Sequence, residues 1–365
     1  MELREVREGL ASLLVPEVEW GKGPGKDTGL PFYNPTMEKN RDMTVLFLRS
    51  LGKPGIRVLD GLAAAGSLGI RVALEVPGAL VTCNDRNSLA IELVRKNAEL
   101  NNVRLEEVLN EGLQAHLFAR KYDFVDIDPF GTPVPYLDPA FQTIPHGMLV
   151  AVTATDTAVL CGAHAKACVR RYEARPLDID CCKEIGLRIL IGFCARLAAR
   201  YDRAVTPLIS FGTDHYFRTF LRVEKGAKRA EEMLSQIGHV AFDHETGNRW
   251  LATGRPTGVS WAGPLWTGSL LDGNVVSSLR LLDYMGHDTA ALVETLRGEV
   301  SAPTLYVTVD FLGRQLRLSP PRTGQIIEAL TKEGFIARRT HFNPLGIKTD
   351  ASWKELTECY RELSP

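Results

Sequence analysis

The stretch VLDGLAAAGSLGIR, residues 58–71, carries the strongest fold signal in this sequence. An apolar run ends at Asp60, a turn of small residues follows, and a helical pattern starts at Ser67. Small residues allow the backbone to approach a ligand closely, and the first turn of a helix presents unpaired N–H groups. The stretch therefore predicts a strand, a ligand-binding turn and a helix in immediate succession.

The same succession of strands and helices continues from this stretch towards the C-terminus. Strands are predicted at Ile56–Asp60, Ala79–Asn84, Tyr122–Ile127 and Met148–Thr153, and helices at Ser67–Val76, Leu89–Leu100 and Ile185–Tyr201. This alternation is typical of a mostly parallel sheet covered by helices on both faces. Two further strands, Thr206–Phe211 and Phe217–Val223, predict an antiparallel edge on that sheet. We therefore expect an α/β fold of the Rossmann-like type.

The length and composition indicate a globular protein of about two domains. The chain has 365 residues and a mass of 40.3 kDa, against about 150 residues for a typical domain. Hydrophobic residues make up 45% and charged residues 24%, which excludes a disordered or disulfide-dense chain. No stretch approaches the roughly 18 apolar residues of a membrane span, and the N-terminus lacks a secretory pattern. We expect a cytoplasmic protein with no membrane association.

The cysteines predict a reducing compartment and no metal. There are seven, none forms a CxxC pair, and most lie in apolar stretches. Free cysteines of this kind are usually small buried hydrophobic residues. No spacing in the sequence suits zinc ligands.

The composition changes near residue 260, where Gly, Pro and Trp cluster. We predict one domain at residues 1–270, including a Gly-, Pro- and Lys-rich lead-in loop at residues 21–31, and a smaller domain at residues 271–365. The smaller domain is predicted to contain helices at Val275–Met285 and Thr289–Arg297, then a small helix and a hairpin within Pro320–Gly346. This order resembles a winged helix in an α+β domain.

The overall charge provides no general attraction to nucleic acid. The 43 Lys and Arg residues oppose 44 Asp and Glu residues, for a net charge of −1. A nucleic-acid-binding protein with this balance needs a local basic face. The segment Arg322–Lys348 contains five Lys or Arg against two Glu and predicts such a face. An ordinary solvated helix surface explains the same charges equally well.

Acidic residues at the ends of two successive strands indicate the ligand class. Asp60 ends the first strand, and Asp85 follows the second, where a carboxylate can accept hydrogen bonds from both ribose hydroxyls. A dinucleotide site requires GxGxxG, which residues 64–69 match except for Ala64. S-adenosylmethionine has no phosphate, so its binding turn can be looser and can carry an acid nearby. The pattern favours S-adenosylmethionine, and a tight connection without any ligand is the alternative.

The segment DFVDIDPFGTPVPYLDPA, residues 123–140, predicts the reaction. Asp128 lies at the end of a buried strand, where open α/β sheets bind ligands, and Pro129 turns the chain out of the sheet. A carboxylate there can accept an N–H from an exocyclic amine and take up its proton during methyl transfer. Phe130 offers a stacking face to a flipped base. Methylation of an exocyclic amine on a planar base fits these residues, whereas an acid that caps a turn is the structural alternative.

Seven stretches spread over nearly the whole chain carry a family pattern. They are PFYNPTMEKNRD (31–42), LDGLAAAGSLGIR (59–71), DIDPFGTP (126–133), VTATDTAVLCGAHAKACVRRY (152–172), DHYFR (214–218), GPLWTG (263–268) and RRTHFNPLGIKT (338–349). The fourth stretch is long and unusual. On these stretches the sequence resembles the tRNA (guanine-26, N2)-dimethyltransferases, in a form similar to archaeal members.

The resemblance implies a reaction, a cofactor and a substrate. Members of this family transfer methyl groups from S-adenosylmethionine to the exocyclic amine of a guanine in tRNA, giving mono- and then dimethylguanine. The resemblance implies that Asp128 is the catalytic acid and that Phe32 and Phe130 hold the target base between them. The cofactor contacts that it implies are Arg41, Arg71 and Asp85, with Asp85 on the ribose, in addition to the nearby Asp60.

The sequence departs from the family pattern at two places. The family usually carries an Asp-Ala pair near the adenine, whereas this sequence has Asn110-Glu111-Gly112-Leu113. We therefore expect the adenine contact at Glu111 or Gly112. Many members hold zinc through Cys pairs before GPLW, but residues 241–258 contain no Cys. No metal is expected.

The resemblance makes tRNA the expected macromolecular partner, with no obligate protein partner. Contacts to its phosphates would make the affinity salt-dependent. Arg170, Arg171 and Arg175 cluster just after the site and suit such contacts. The other basic residues expected to bind tRNA are Arg338, Arg339 and Lys348. His164 and Asp156, in the fourth stretch, either bind substrate or fix their loop.

Two other classes of protein remain open at this level. A NAD-dependent dehydrogenase using the turn at residues 64–69 would leave the segment Asp128-Pro129-Phe130 unexplained. A non-catalytic RNA-binding protein on the same fold is opposed by the intact Asp60, Asp85 and Asp128. The sequence leaves the number of transferred methyl groups open.

Overall fold

The computed structural model describes residues 2–17, 29–213 and 215–364. Most of the predicted lead-in loop, at residues 21–28, lies outside this part of the chain, as does Asp214. Within the described ranges, no helix is both long and apolar enough to cross a membrane.

Strands and helices alternate along most of the described chain. The strands are β1 (Leu3–Glu8), β2 (Ala11–Pro16), β3 (Arg57–Asp60), β4 (Leu80–Asn84), β5 (Glu107–Leu109), β6 (Phe124–Ile127), β7 (Met148–Ala154), β8 (Arg203–Gly212), β9 (Phe217–Lys225), β10 (Ile237–Phe242), β11 (Arg249–Ala252), β12 (Ser260–Trp266), β13 (Val307–Thr308), β14 (Ala337–Thr340) and β15 (Asn343–Thr349). The helices are α1 (Glu38–Ser50), α2 (Ser67–Glu75), α3 (Ser88–Leu100), α4 (Leu113–Ala119), α5 (Val134–Thr143), α6 (Thr157–Leu160), α7 (Ala165–Tyr172), α8 (Cys182–Ala199), α9 (Ala227–Leu234), α10 (Gly273–Ser278), α11 (His287–Glu299), α12 (Val309–Leu316), α13 (Thr323–Lys332) and α14 (Trp353–Leu363).

The central sheet has seven strands in the order β5-β4-β3-β6-β7-β9-β8. The first five of these are parallel, and β9 runs antiparallel to both β7 and β8. Strands β4 and β5 follow β3 in the sequence and lie on one side of it. The next strand, β6, lies on the other side of β3, so the strand order reverses there. Open α/β sheets bind ligands at the carboxyl ends of the strands where the order reverses in this way. The predicted Rossmann-like sheet with an antiparallel edge is confirmed.

Two glycines shape the turn between β3 and α2. Gly66 has a φ of 76°, in the left-handed region that glycine adopts without strain. Gly69 lies in the first turn of α2, where an added Cβ would come within 2.3 Å of the Cys83 sulfur on β4. These residues let α2 pack closely on the sheet and bring its N-terminus to the ends of β3 and β4.

The N-terminal hairpin of β1 and β2 packs on α2 and α3 and was not predicted. Alternate residues of β2, beginning with Ala11 and Leu13, are fully buried in this contact. The side chain of Asn97 on α3 accepts a hydrogen bond from the Leu14 N–H at 2.7 Å and donates one to the Leu14 carbonyl at 3.0 Å. The hairpin brings Glu8, the last residue of β1, against α1 and α2.

The C-terminal part contains a second hydrophobic core. It is drawn from residues 307–360, whereas residues 270–306 contribute side chains to the main core. Helices α12 and α13 precede the β14–β15 hairpin, and β13 completes a three-stranded antiparallel sheet. This is the order predicted for a winged helix. The predicted domain boundary after residue 270 stays a prediction.

Two predicted elements differ from the structure. The helix predicted at Val275–Met285 is wrong beyond Ser278, because Leu279 takes an extended conformation and is fully buried in the main core. The hairpin predicted within Pro320–Gly346 extends further, since its second strand, β15, begins at Asn343 and ends at Thr349.

Candidate active site

A cavity of about 670 Å³ opens at the carboxyl ends of β3, β4 and β6. It therefore lies where the strand order of the central sheet reverses. The segment 29–41 contributes eight of the lining residues. Of the residues predicted for the site, those that line the cavity are Phe32, Arg41, Asp60, Asp85, Asp128 and Phe130.

Asp85 and the small-residue turn hold each other in place. One oxygen of the Asp85 carboxylate accepts a hydrogen bond from the Ala64 N–H at 2.9 Å, and the other accepts one from the Asn87 N–H at 2.9 Å. Each carboxylate oxygen has a second lone pair, so both can still accept a hydrogen bond from a ligand hydroxyl. The geometry is compatible with the predicted ribose contact, which stays a prediction.

Several carboxylates converge at this end of the sheet. Asp60 is 5% exposed and accepts a hydrogen bond from the Gly69 N–H at 3.0 Å. Burial raises the pKa of the Asp60 carboxyl, and the nearby charges of Asp126, Asp128 and Asp85 raise it further. Such a concentration of acids favours a cationic ligand and disfavours a pyrophosphate. S-adenosylmethionine carries a positively charged sulfur and no phosphate, so it fits this site better than a nicotinamide dinucleotide.

Asp128 is half-buried just beyond the carboxyl end of β6. The Asn40 side-chain amide on α1 donates a hydrogen bond to Asp128 Oδ2 at 3.0 Å. Asn40 is only 1% exposed, so this bond is shielded from bulk water. Burial raises the pKa of the Asp128 carboxyl to about 6, although the nearby Arg218 guanidinium lowers it. The carboxyl is therefore mostly ionised at neutral pH, yet basic enough to take up a proton.

A buried ion pair supports Asp128 from behind. Arg218 on β9 donates two hydrogen bonds to the Asp126 carboxylate, at 2.9 and 2.6 Å. The same guanidinium also donates to the hydroxyls of Thr153, at 2.6 Å, and Thr44, at 2.9 Å. These contacts join β6, β7, β9 and α1, so they fix the floor of the cavity on which Asp128 lies.

Phe32 and Phe130 meet at the cavity mouth. The loop that carries Phe130 is fastened to the end of β7, because the Gly131 N–H donates to Thr155 Oγ1 at 2.7 Å and the Thr155 N–H donates to the Gly131 carbonyl at 2.9 Å. The two phenyl centroids lie 4.6 Å apart at an interplanar angle of 75°. A base between parallel rings needs about 7 Å, twice the carbon contact distance. The rings must therefore separate and rotate before a base can enter between them.

Arg41 reaches the cavity from a buried cluster of ion pairs centred on Glu8. The Glu8 carboxylate accepts hydrogen bonds from Arg41 at 2.6 Å and from Arg71 at 3.1 Å. Arg71 has no exposed surface and also pairs with Glu75 at 2.9 Å and Asp42 at 2.6 Å. Its guanidinium lies inside this cluster and not on the cavity wall. Glu8 links Arg71 to Arg41, and the cofactor contact that the resemblance implies for Arg71 stays a prediction.

Glu111 and Gly112 follow β5 but do not belong to the cavity lining. The Glu111 N–H donates to the side chain of Asn84 at 3.1 Å, and the Glu111 carboxylate lies 2.8 Å from a ring nitrogen of His116. Contact of either residue with an adenine stays a prediction.

Lys348 is not available to bind tRNA. It is 4% exposed, and its ammonium lies 3.1 Å from a Glu184 oxygen and 3.3 Å from a Glu299 oxygen. The prediction of a phosphate contact at Lys348 is wrong, because tertiary packing buries this cation between two carboxylates.

The other predicted tRNA-binding cations are accessible to different degrees. Arg170 is exposed on α7, and Arg338 and Arg339 are exposed on β14. Arg171 is partly buried and donates to Asp156 at 3.0 Å. Asp156 also accepts a hydrogen bond from the Tyr172 hydroxyl at 2.7 Å, so its carboxylate holds the loop that follows β7.

Several residues of the site were not predicted from the sequence. Glu8 lies far from the cavity motifs in the sequence, and no local pattern marks it. Arg218 ends the matching stretch DHYFR (214–218), and that position was the available signal. Asn40 lies in the matching stretch at residues 31–42, and that position was the available signal. His215 and Tyr136 also line the cavity without having been predicted.

No cluster of three or more His, Cys, Asp or Glu in the described ranges is arranged to hold a metal ion. The Asp128 carboxylate lies on the wall of a cavity suited to a cationic cofactor. The parallel sheet with its antiparallel edge and the acid-lined cavity at the strand-order reversal define the class as a Rossmann-like, S-adenosylmethionine-dependent methyltransferase.

Comparisons with known proteins identify the family. A sequence model of the N2,N2-dimethylguanosine tRNA methyltransferases matches residues 25–361. The tRNA (guanine(26)-N(2))-dimethyltransferase of Pyrococcus furiosus is 41% identical over 99% of both chains, and that of Thermococcus kodakarensis is 40% identical over 100% of both. A solved structure of Trm1 from Pyrococcus horikoshii in complex with S-adenosyl-L-methionine has a TM-score of 0.88 and 36% identity, covering 98% of this chain and 99% of that one. The chain belongs to the N2,N2-dimethylguanosine tRNA methyltransferase family, which confirms the resemblance seen in the sequence.

Proposed function

We propose that this enzyme uses S-adenosylmethionine to methylate the exocyclic N2 of guanine 26 in tRNA, once or twice. Family membership supports the reaction, the cofactor and the substrate. The observation that carries the chemistry is the carboxylate of Asp128, which lines the cavity and is held by Asn40 at 3.0 Å.

Asp128 acts on the amine of the flipped guanine. Bound S-adenosylmethionine supplies a methyl group that is attached to a positively charged sulfur. When the methyl group is transferred, the sulfur becomes a neutral thioether and is the leaving group. Asp128 accepts a hydrogen bond from one N2–H, directs the nitrogen lone pair towards the methyl carbon, and takes up the proton as the N–C bond forms. Asn40 holds the carboxylate in that orientation. A second transfer uses the remaining N2–H in the same way.

The other cavity residues bind and orient the two ligands. Phe32 and Phe130 stack on either side of the base once their rings have separated. Asp85 accepts hydrogen bonds from the ribose hydroxyls of the cofactor, and Arg41 pairs with its carboxylate. Asp60 contributes to the negative potential that favours the charged sulfur.

The domain at residues 271–365 contributes to tRNA binding in this proposal. The exposed Arg338 and Arg339 on β14 support this role, because they can contact phosphates without breaking an ion pair recorded in the described structure.

A labelling assay tests the reaction, the atom and the site together. We expect methyl-labelled S-adenosylmethionine and an unmodified tRNA transcript to give N2-methyl- and N2,N2-dimethylguanosine after digestion and mass spectrometry. A transcript with adenine at position 26 should remain unlabelled. Binding of S-adenosylmethionine without methylation of either transcript would contradict the proposed substrate.

Activity should decline as the pH falls through about 6, because the pKa of Asp128 is raised to about 6 and only its ionised form can accept the amine proton. Asn40→Ala removes a donor that stabilises the ionised form, so we expect the midpoint of the acid limb of kcat/KM to move to higher pH. The pH–rate profiles of the wild type and the variant provide the measurement. The matched control is Asn274→Ala, at an exposed position on α10. An unchanged acid limb in Asn40→Ala would rule out this positioning role.

A further inference from the structure

A surface with chemistry suited to RNA lies on the three-stranded sheet β11-β10-β12, outside the cavity. Ala241 of β10 pairs in register with Trp250 of β11 on one side and with Trp261 of β12 on the other. Directly paired residues of an antiparallel sheet project from the same face. The two tryptophans therefore flank Ala241, which is completely buried, while Trp250 itself remains 42% exposed.

Two arginines from neighbouring segments lie against Trp261. The guanidinium carbons of Arg175 and Arg255 are 5.1 and 4.5 Å from the centroid of its ring. His239 on β10 meets the same ring edge-on, with centroids 5.5 Å apart. We call Trp250, Trp261, His239, Arg175 and Arg255 the Trp–Arg face.

The two arginines of the Trp–Arg face are exposed and form no ion pair among the described residues. Both Arg175 and Arg255 are exposed, and neither has a carboxylate within ion-pair distance among the residues that the structure describes. A guanidinium stacked on an aromatic ring keeps its N–H edge for an anion. Arg175 is also fixed through its backbone, which exchanges two hydrogen bonds of 2.8 Å with Gly263. Such pre-organisation lowers the entropy lost when an anion binds.

The Trp–Arg face is connected to the mouth of the cavity. Arg175 follows Tyr172 by three residues, at most about 11 Å of chain. The Tyr172 hydroxyl accepts a hydrogen bond from Thr132 at 2.9 Å, and Thr132 is two residues beyond Phe130. The exposed Arg170 lies on α7, which ends at Tyr172.

We propose that the Trp–Arg face is a docking surface for an unpaired nucleotide segment of the tRNA substrate. A base stacks on the exposed ring of Trp250, and Arg175 and Arg255 contact the flanking phosphates. Aromatic platforms combined with cations are the general means of binding unpaired nucleic acid. The inference rests on the proposed function and extends it, since a chain with a net charge of −1 needs a local cationic surface to hold a polyanion.

Binding of an unmodified tRNA transcript at several salt concentrations tests the Trp–Arg face. Trp250→Ala should raise the Kd for tRNA by about 5- to 160-fold, the usual effect of losing one stacked base. The double variant Arg175→Ala/Arg255→Ala should weaken binding and reduce the slope of log K against log salt by about 1.4, roughly 0.7 for each lost phosphate contact. Both variants should keep the wild-type Kd for S-adenosylmethionine and the wild-type kcat at saturating tRNA, while KM for tRNA rises.

The control is Arg104→Ala, which removes an exposed cation between α3 and β5. Strand β5 is an edge strand of the central sheet and does not belong to the sheet that carries the Trp–Arg face. If Trp250→Ala and the double variant bind tRNA as tightly as Arg104→Ala does, the inference is overturned while the proposed function stands. If the wild type methylates no guanine at position 26, both fail together. Thermal unfolding of each variant separates lost contacts from lost folding.

Discussion

Asp128→Asn should lower kcat by about 10²- to 10⁴-fold, the range that a positioned acid or base contributes. The amide has almost the shape of the carboxylate but cannot take up the amine proton. Its cavity neighbours stay in place, so we expect the Kd values for S-adenosylmethionine and for tRNA to change little. Single-turnover methylation measures the chemical step, and calorimetry with each ligand measures binding.

The chain offers a matched control for this substitution at Asp138. Like Asp128, it is followed by a proline, but it lies exposed on α5 and accepts a hydrogen bond from the Tyr201 hydroxyl at 2.9 Å. Asp138→Asn should therefore keep full activity. Wild-type turnover in Asp128→Asn would remove this carboxylate from the mechanism, and a matching loss in Asp138→Asn would point to a general effect on the fold.

Glu8→Gln should lower the free energy of unfolding by about 3–5 kcal/mol, the usual cost of removing one partner from a buried ion pair. The Glu8 carboxylate lies between the Arg41 and Arg71 guanidiniums and also accepts a hydrogen bond from the Tyr33 hydroxyl at 2.9 Å. Arg71 keeps Glu75 and Asp42 as partners, whereas Arg41 has no other carboxylate partner recorded among the described residues. Since Arg41 lines the cavity, we expect the affinity for S-adenosylmethionine to fall as well.

The pH dependence of this effect has a definite sign. The two arginines lower the pKa of Glu8 from 4.5 to about 2, against the opposing effect of burial. A group whose pKa is lowered on folding stabilises the folded state fully above its unfolded pKa and loses that contribution as the pH falls towards its folded pKa. The stability difference between the wild type and Glu8→Gln should therefore be constant above about pH 5 and shrink between pH 4.5 and 2.

Urea unfolding followed by tryptophan fluorescence measures this difference. Glu5→Gln is the control, because Glu5 lies on the same strand with its side chain exposed. Equal stabilities of the two variants at neutral pH would show that the cluster around Glu8 contributes nothing measurable to folding.

The central sheet could be predicted because its signals are local. One apolar run ends at Asp60 and another ends just before Asp128, and each predicts a strand from its own residues. The glycines that follow Asp60 predict the turn between β3 and α2 in the same local way. Strands that alternate with helices must run parallel, so the acids at their ends were expected at one edge of the sheet. The structure places both Asp60 and Asp128 on the cavity wall.

The surroundings of those acids depend on contacts between segments far apart in the chain. Asn40 and Asp128 are 88 residues apart, and Arg218 and Asp126 are 92 residues apart, so no local pattern could pair them. The same limit explains Lys348, whose charge suggested phosphate binding until packing placed it beside Glu184.

Residue types and their spacing along the chain were therefore enough to predict the fold class, to favour S-adenosylmethionine as the cofactor and to single out the carboxylate expected to do the chemistry. Three-dimensional packing alone established that Arg71 supports Arg41 through Glu8, and that Trp250 and Trp261 share one face of a sheet. The physical reason is that backbone conformation responds mainly to neighbours within a few residues. Burial and the pairing of charges respond instead to whichever distant segments the folded chain brings together.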